Sequence, residues 1–204
     1  MLNILTLSVG QLQTNCYLVF GKKSHSSLII DPGDDADYII KVLSDKKIKP
    51  IGIVATHGHF DHLLAVTELK LTFQIPFYLT QKDEFLLKNM RASAKHFLGI
   101  DADPPADVDK FIKQGDFFAL DNTRLEVMET PGHTPGSICL YNKSESIIFC
   151  GDLLFSGGGV GRSDFSYSDN LLLSKSLEKI LKLPKNTRVY PGHGQKFWLA
   201  DWKK

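Results

Sequence analysis

Thr56-His57-Gly58-His59-Phe60-Asp61-His62 packs three imidazoles and one carboxylate into seven residues. The apolar run 51–55 leads straight into it, so a buried strand anchors the backbone while the side chains converge. His57 and His59 stand two apart at an extended strand end and point to the same side. Asp61 and His62 fall where the chain turns into a helix, and Gly58 leaves the gap between them and the strand end unobstructed. Imidazole and carboxylate donors in such an array suit Zn, Fe or Mn.

The same context recurs further along. His133 sits in Pro131-Gly132-His133-Thr134-Pro135-Gly136-Ser137, Asp152 in Cys150-Gly151-Asp152, and His193 in Tyr190-Pro191-Gly192-His193-Gly194. Each lies beside glycine just past an apolar run, where a sheet edge presents a side chain. His57, His59, Asp61, His62, His133, Asp152 and His193 are therefore the candidate metal ligands. His25 and His96 lack this context and are assigned to the surface.

Around these motifs, period-two and continuous apolar runs predict strands over 4–9, 16–20, 28–30, 51–55, 76–79, 117–120, 123–128, 137–141, 147–150 and 188–190. Helical spacing predicts helices over 35–43, 62–71, 82–90 and 170–181, and the aspartate-rich stretch 100–108 reads as an exposed loop. The expected class is α/β (α+β), with two sheets packed face to face and helices outside.

Composition narrows the function. The 204 residues carry 24 Lys and Arg against 23 Asp and Glu, a net charge of +1, which excludes the basic footprint of a dedicated nucleic-acid binder. No polybasic patch for an acidic membrane is evident, and no apolar run approaches the roughly 18 residues of a membrane span. Three cysteines, Cys16, Cys139 and Cys150, without CxxC spacing, read as buried small hydrophobes in a reducing compartment. The N-terminus lacks the cationic start and apolar core of a secretion signal. A soluble cytoplasmic protein is expected.

The run His57-x-His59-x-Asp61-His62, followed in order by His133, Asp152 and His193, resembles the metallo-β-lactamase superfamily. That resemblance covers nearly the whole chain, as one domain over 1–204, and implies a four-layer αββα sandwich of two mixed β-sheets. It implies a dinuclear centre: His57, His59 and His133 on one metal, Asp61, His62 and His193 on the other, Asp152 bridging. Two divalent ions are implied, zinc first, with iron or manganese as alternatives. Asp31 is implied as a structural residue holding loops near the site.

Asp152 stands where the lactamases proper commonly carry cysteine. Gly151-Asp152-Leu153-Leu154-Phe155 and Gly159-Val160-Gly161-Arg162-Ser163-Asp164-Phe165 resemble the glyoxalase II branch and its short bacterial relatives, which hydrolyse hydroxyacylglutathione thioesters. The implied substrate is a small acyl-thiol such as S-D-lactoylglutathione, attacked by a hydroxide generated between the metals. Asp61 would orient that nucleophile or take its proton, and Arg162 would meet a substrate carboxylate. No nucleic-acid or membrane partner is implied, and oligomeric state stays open.

Only 11 residues follow His193, whereas glyoxalase II proper has a C-terminal helical domain that builds much of its glutathione pocket. Residues 194–204, with Lys196, Trp198, Trp202 and Lys203, read as a solvated tail. Two rival reactions share the resemblance. A glutathione-persulfide dioxygenase also resembles the 161–165 stretch and would use one iron on His57, His133 and Asp152, although Pro191-Gly192-His193-Gly194 looks more like the hydrolases. Another ester, lactone or lactam would use the same hydrolytic centre. A non-catalytic metal-bound scaffold is disfavoured because every ligand of the motif is present.

Overall fold

Successive residues of one strand serve two different cores. In β2 (Thr14–Gly21), Cys16, Leu18 and Phe20 face one apolar cluster while Tyr17 and Val19 face another. Side chains of a strand alternate between faces, so β2 is covered on both sides, and all eight of its residues are buried. In the computed structural model, which describes residues 1–203, this pattern repeats through two six-stranded sheets.

The first sheet runs, in spatial order, β1 (Leu2–Val9), β2, β3 (Ser26–Ile30), β4 (Lys49–Val54), β5 (Phe77–Leu79) and β6 (Lys110–Phe111). The first three pair antiparallel and the last four parallel. The second sheet comprises β7 (Phe117–Leu120), β8 (Thr123–Glu129), β9 (Ile138–Asn142), β10 (Ile147–Gly151), β11 (Arg188–Pro191) and β12 (Phe197–Trp198), also in chain order, with one parallel pair, β10 and β11. Parallel neighbours need crossovers. Here α1 (Ala36–Asp45), α2 (Val66–Phe73), the pair α3 (Glu84–Lys88) and α4 (Met90–Leu98), and α5 (Asn170–Leu181) supply them.

Three apolar clusters separate four layers. Leu18, Ile29 and Ile53 pack under Ile39, Leu43 and Leu69 of the first helices. Tyr17, Val19, Ile30 and Val54 meet Val127, Leu140 and Phe149 between the sheets. Cys139, Ile148 and Cys150 pack under Leu173, Leu177 and Ile180 of α5. This is the αββα sandwich of two mixed sheets expected from the sequence. The three cysteines are free and buried, and among the described residues no helix is long and apolar enough to cross a membrane.

Three local expectations are corrected. The helix placed at 62–71 begins as a 3-10 turn, Phe60–His62, and becomes α-helical only at Val66. Leu64 and Ala65 donate their amides to Gly33 and Pro32, not to the preceding turn, so the backbone there serves the neighbouring loop. The helix placed at 82–90 is a 3-10 turn, Gln81–Asp83, then α3, a break at Asn89, and α4 running on to Leu98. The tail is solvated only in part: Lys196, Trp198 and Lys203 are exposed, yet β12 pairs antiparallel with β11, Leu199 is fully buried in the α5 cluster, and the Arg188 guanidinium lies 3.8 Å over the Trp198 ring.

Candidate metal centre

The candidate ligands leave the sheets at one common edge. His57, His59, Asp61 and His62 follow β4, His133 lies between β8 and β9, Asp152 follows β10, and His193 follows β11. Parallel sheets gather loops at the carboxyl ends of their strands, where ligand sites collect. Here two sheets share that edge, stitched by hydrogen bonds from the Ile138 amide to the Thr56 carbonyl (2.9 Å) and from the Asn15 amide to the Gly192 carbonyl (2.7 Å).

All seven side chains converge. His59 Nδ1 lies 3.1 Å from His57 Nε2 and 3.0 Å from His133 Nε2. Across from this trio, His193 Nε2 lies 3.3 Å from His62 Nε2 and 3.3 Å from Asp61 Oδ2. Asp152 sits between the groups, Oδ1 at 3.5 Å from His62 Nε2 and Oδ2 at 3.7 Å from both His133 and His193. Two donor triads result, His57–His59–His133 and Asp61–His62–His193, with Asp152 reaching both.

The outward nitrogens determine which tautomers face inward. His133 Nδ1 donates to the Arg162 carbonyl (2.7 Å) and His193 Nδ1 to the Leu12 carbonyl (3.1 Å). Carbonyls only accept, so these rings carry hydrogen on Nδ1 and turn a lone pair on Nε2 inward. His62 Nδ1 lies 3.1 Å from the Asp31 carboxylate, an ion-pair contact that favours the protonated ring. Asp31 Oδ2 also accepts from Thr56 Oγ1 (2.7 Å), whose oxygen then accepts from His57 Nδ1 (3.1 Å), so one buried carboxylate orients a ring in each triad. His59 Nε2 meets the Tyr167 hydroxyl at 2.8 Å. Such outer partners fix the orientation and basicity of metal-binding imidazoles. Asp152 Oδ1 is buried with no hydrogen-bond partner among the described residues, as an atom reserved for a cation would be. The residues present fit a pair of metal ions.

Electrostatics in the metal-free site follow from burial and mutual charge. Burial, then neighbouring imidazoles, push His57 well down, and burial with His133 pushes His59 down to about 3. Burial opposes charge on His62 as well, yet Asp61, Asp31 and Asp152 together push it up to about 10. Despite its burial, Asp61 is held well below the usual carboxylate range by His62 and His193.

Arg162 lines the cleft above the donors, its guanidinium held by both oxygens of Asp164 (2.9 and 2.8 Å) and lying 4.5 Å over Phe165. His25 and His96 are exposed, away from the cluster. Four further residues escaped the sequence reading. Thr56 and Tyr167 hold ligand rings, and Thr14 Oγ1 donates to Asp61 Oδ2 (3.4 Å). Buried Asp83 accepts from the Gly58 amide (2.8 Å), the Gly136 amide (2.6 Å) and Thr134 Oγ1 (2.6 Å), joining the His57–His62 loop to the His133 loop. No motif spacing marks them: Thr14, Asp83 and Tyr167 act through contacts distant in sequence, and Thr56 links its neighbour His57 to the distant Asp31. A cleft of about 460 Å³ opens over the cluster.

Residues 9–193 match the family model of the metallo-beta-lactamase superfamily. The chain belongs to that superfamily. It is 34% identical to a Haemophilus influenzae protein named hydroxyacylglutathione hydrolase, over 100% of this chain and 96% of that one. Among solved structures it is similar to the BLEG-1 B3 metallo-beta-lactamase, with 33% identity, a TM-score of 0.89, and 98% and 95% of the two chains covered. It is also similar to TTHA1623 in a di-iron-bound form, with 34% identity, a TM-score of 0.87 and coverage of 96% and 95%.

Proposed function

We propose that the protein is a dinuclear metal-dependent hydrolase that cleaves a thioester, with S-D-lactoylglutathione or a related hydroxyacylglutathione as substrate. The observation that carries this reading is the pair of donor triads on either side of Asp152, whose Oδ1 is otherwise without a partner. His57, His59 and His133 would hold one ion and Asp61, His62 and His193 the other, with Asp152 within reach of both. Divalent ions bound there supply a water acidified toward neutrality and a Lewis acid for the acyl oxygen. Zinc is the proposed metal, with iron the first alternative, since a di-iron relative has the same fold.

The remaining work falls to the chain. Thr56 and the Arg162 and Leu12 carbonyls keep the lone pairs of His57, His133 and His193 aimed inward, and Asp31 pairs with His62. Asp61, steadied by Thr14, orients the attacking water. Arg162 sits at the cleft wall, where it meets a substrate carboxylate in exchange for Asp164. A thiolate leaves without a general acid because thiol pKa values lie near about 8.5, whereas a lactam nitrogen must be protonated to depart. The mono-iron dioxygenase would leave His59, Asp61, His62 and His193 facing inward with no role. Three unpaired buried thiols suit the cytoplasm.

The test is loss of thioester absorbance with S-D-lactoylglutathione, using protein whose metal content has been counted and His59→Ala as control. Turnover by the two-metal protein that disappears in the variant supports the reading. Retained activity in His59→Ala with full metal content, or no turnover by the two-metal protein, would sink it.

A further inference from the structure

The cleft walls carry two aromatic pairs whose ring faces the hydrolytic chemistry does not use. Phe60 and Phe97 lie parallel, 5.8 Å apart with planes 5° from one another, on the side built by the first half of the chain. Phe165 and Tyr167 lie parallel at 5.3 Å and 11°, on the side built by the segment before α5. Leu86 and Val160 continue the apolar lining. Phe97 leaves 55% of its surface to water, an aromatic surface that an apolar group entering the cleft would cover.

Charge points the same way. Among the described lining residues Arg162 is the one with a permanent positive charge, and its fork is already engaged by Asp164. The glutathione half of a substrate brings two carboxylates and one ammonium, and meets a single, exposed, compensated cation. Its pairing there is weak. Discrimination therefore falls on the acyl half, because Phe165 stands 5.3 Å from the His59 ring and the Tyr167 hydroxyl touches it, beside the reacting centre.

We propose that the cleft selects thioesters whose 2-hydroxyacyl group carries an aromatic ring over those with a small aliphatic group. This rests on the thioester-hydrolase reading and narrows it. The reaction is unchanged: water oxygen bonds to the acyl carbon, the carbon–sulfur bond breaks, and the products are a carboxylate, a thiol and a proton. The aromatic ring remains attached to the acyl carbon chain throughout.

The experiment compares S-D-mandeloylglutathione with S-D-lactoylglutathione as substrates of the metal-loaded protein. It also compares D-mandelate with D-lactate as ligands of the same protein by calorimetry. The expected result is kcat/KM about tenfold or more in favour of the mandeloyl thioester and a matching preference in binding. Both preferences should shrink to about twofold in Phe97→Ala, whose exposed side chain lets the variant fold. Turnover of both thioesters with no aromatic preference would overturn the inference and leave the hydrolase reading standing. No turnover, with mandelate still preferred through Phe97, would overturn the thioester reading while upholding the aromatic selectivity of the cleft. No turnover and no binding preference would overturn both.

Discussion

Asp83→Asn isolates the contribution of a residue that touches no candidate ligand side chain. The carboxylate has no solvent exposure and accepts three hydrogen bonds, two on Oδ2 from the Gly58 amide and Thr134 Oγ1, one on Oδ1 from the Gly136 amide. An asparagine must place its NH2 at one of these positions. At the Oδ1 position it faces the Gly136 N–H, donor against donor; at the Oδ2 position it faces two donors. The first choice is cheaper and orphans two buried donors, at about 1–3 kcal/mol each. Against this, burial pushes the Asp83 carboxyl up, so its ionised form carries a desolvation penalty that the amide escapes. The net destabilisation should be about 2 kcal/mol. Because Gly58 and Thr134 adjoin His57, His59 and His133, the lost tie should weaken the ion held by that triad about tenfold and affect the Asp61–His62–His193 triad less. Urea unfolding in chelator measures the first quantity, and competition against a chromophoric chelator the second. A stability change below about 0.5 kcal/mol with both affinities unchanged would refute the argument.

Metal-free protein should lose stability as pH rises. The folded pKa of His62 is about 10 against an ordinary 6.5, so its contribution is complete below about pH 6.5 and disappears by about pH 10. Urea midpoints across that range should therefore fall in chelator and stay flatter with metal, which displaces the His62 proton; parallel curves would contradict this. Gly192→Ala would set a Cβ 2.1 Å from Asp152 Oδ1 and 2.8 Å from His62 Cε1. It should lower metal content and turnover together, and wild-type metal content would show that the bridge tolerates displacement. Leu199→Ala removes a fully buried side chain from the α5 cluster and should cost about 2–5 kcal/mol, measured by denaturation. A cost below about 1 kcal/mol would mean that residues after β11 do not share the core.

Elements whose character lay within their own residues were legible. The strand runs and α5 appear where periodicity placed them, because a side chain's face follows from its position in the repeat. The misplaced boundaries share a different cause. Leu64 and Ala65 donate to Gly33 and Pro32, partners about thirty residues upstream, so local helix propensity loses to a loop that it cannot register. Strand β12 is two residues long, and its Trp198 and the following Leu199 are ordered by Arg188 and the α5 cluster, neither of which a window around the tail contains.

The site divides along the same line. The convergence of the seven side chains was legible because imidazoles and carboxylates beside glycines at strand ends are the atoms that a metal site demands. Their outer partners carry no such signature: a threonine hydroxyl, two main-chain carbonyls, a tyrosine and a buried aspartate serve equally well in structural roles elsewhere. Yet these partners decide the protonation of the inward nitrogens. Asp31 shows how much rests on them, since its Oδ2 faces His62 directly and reaches His57 through Thr56. One carboxylate thereby couples the two triads, so a change at Asp31 would reach both of them, whereas a change at the Leu12 or Arg162 carbonyl would reach one. The spacing of these side chains encodes which atoms converge, and the fold encodes how each is presented.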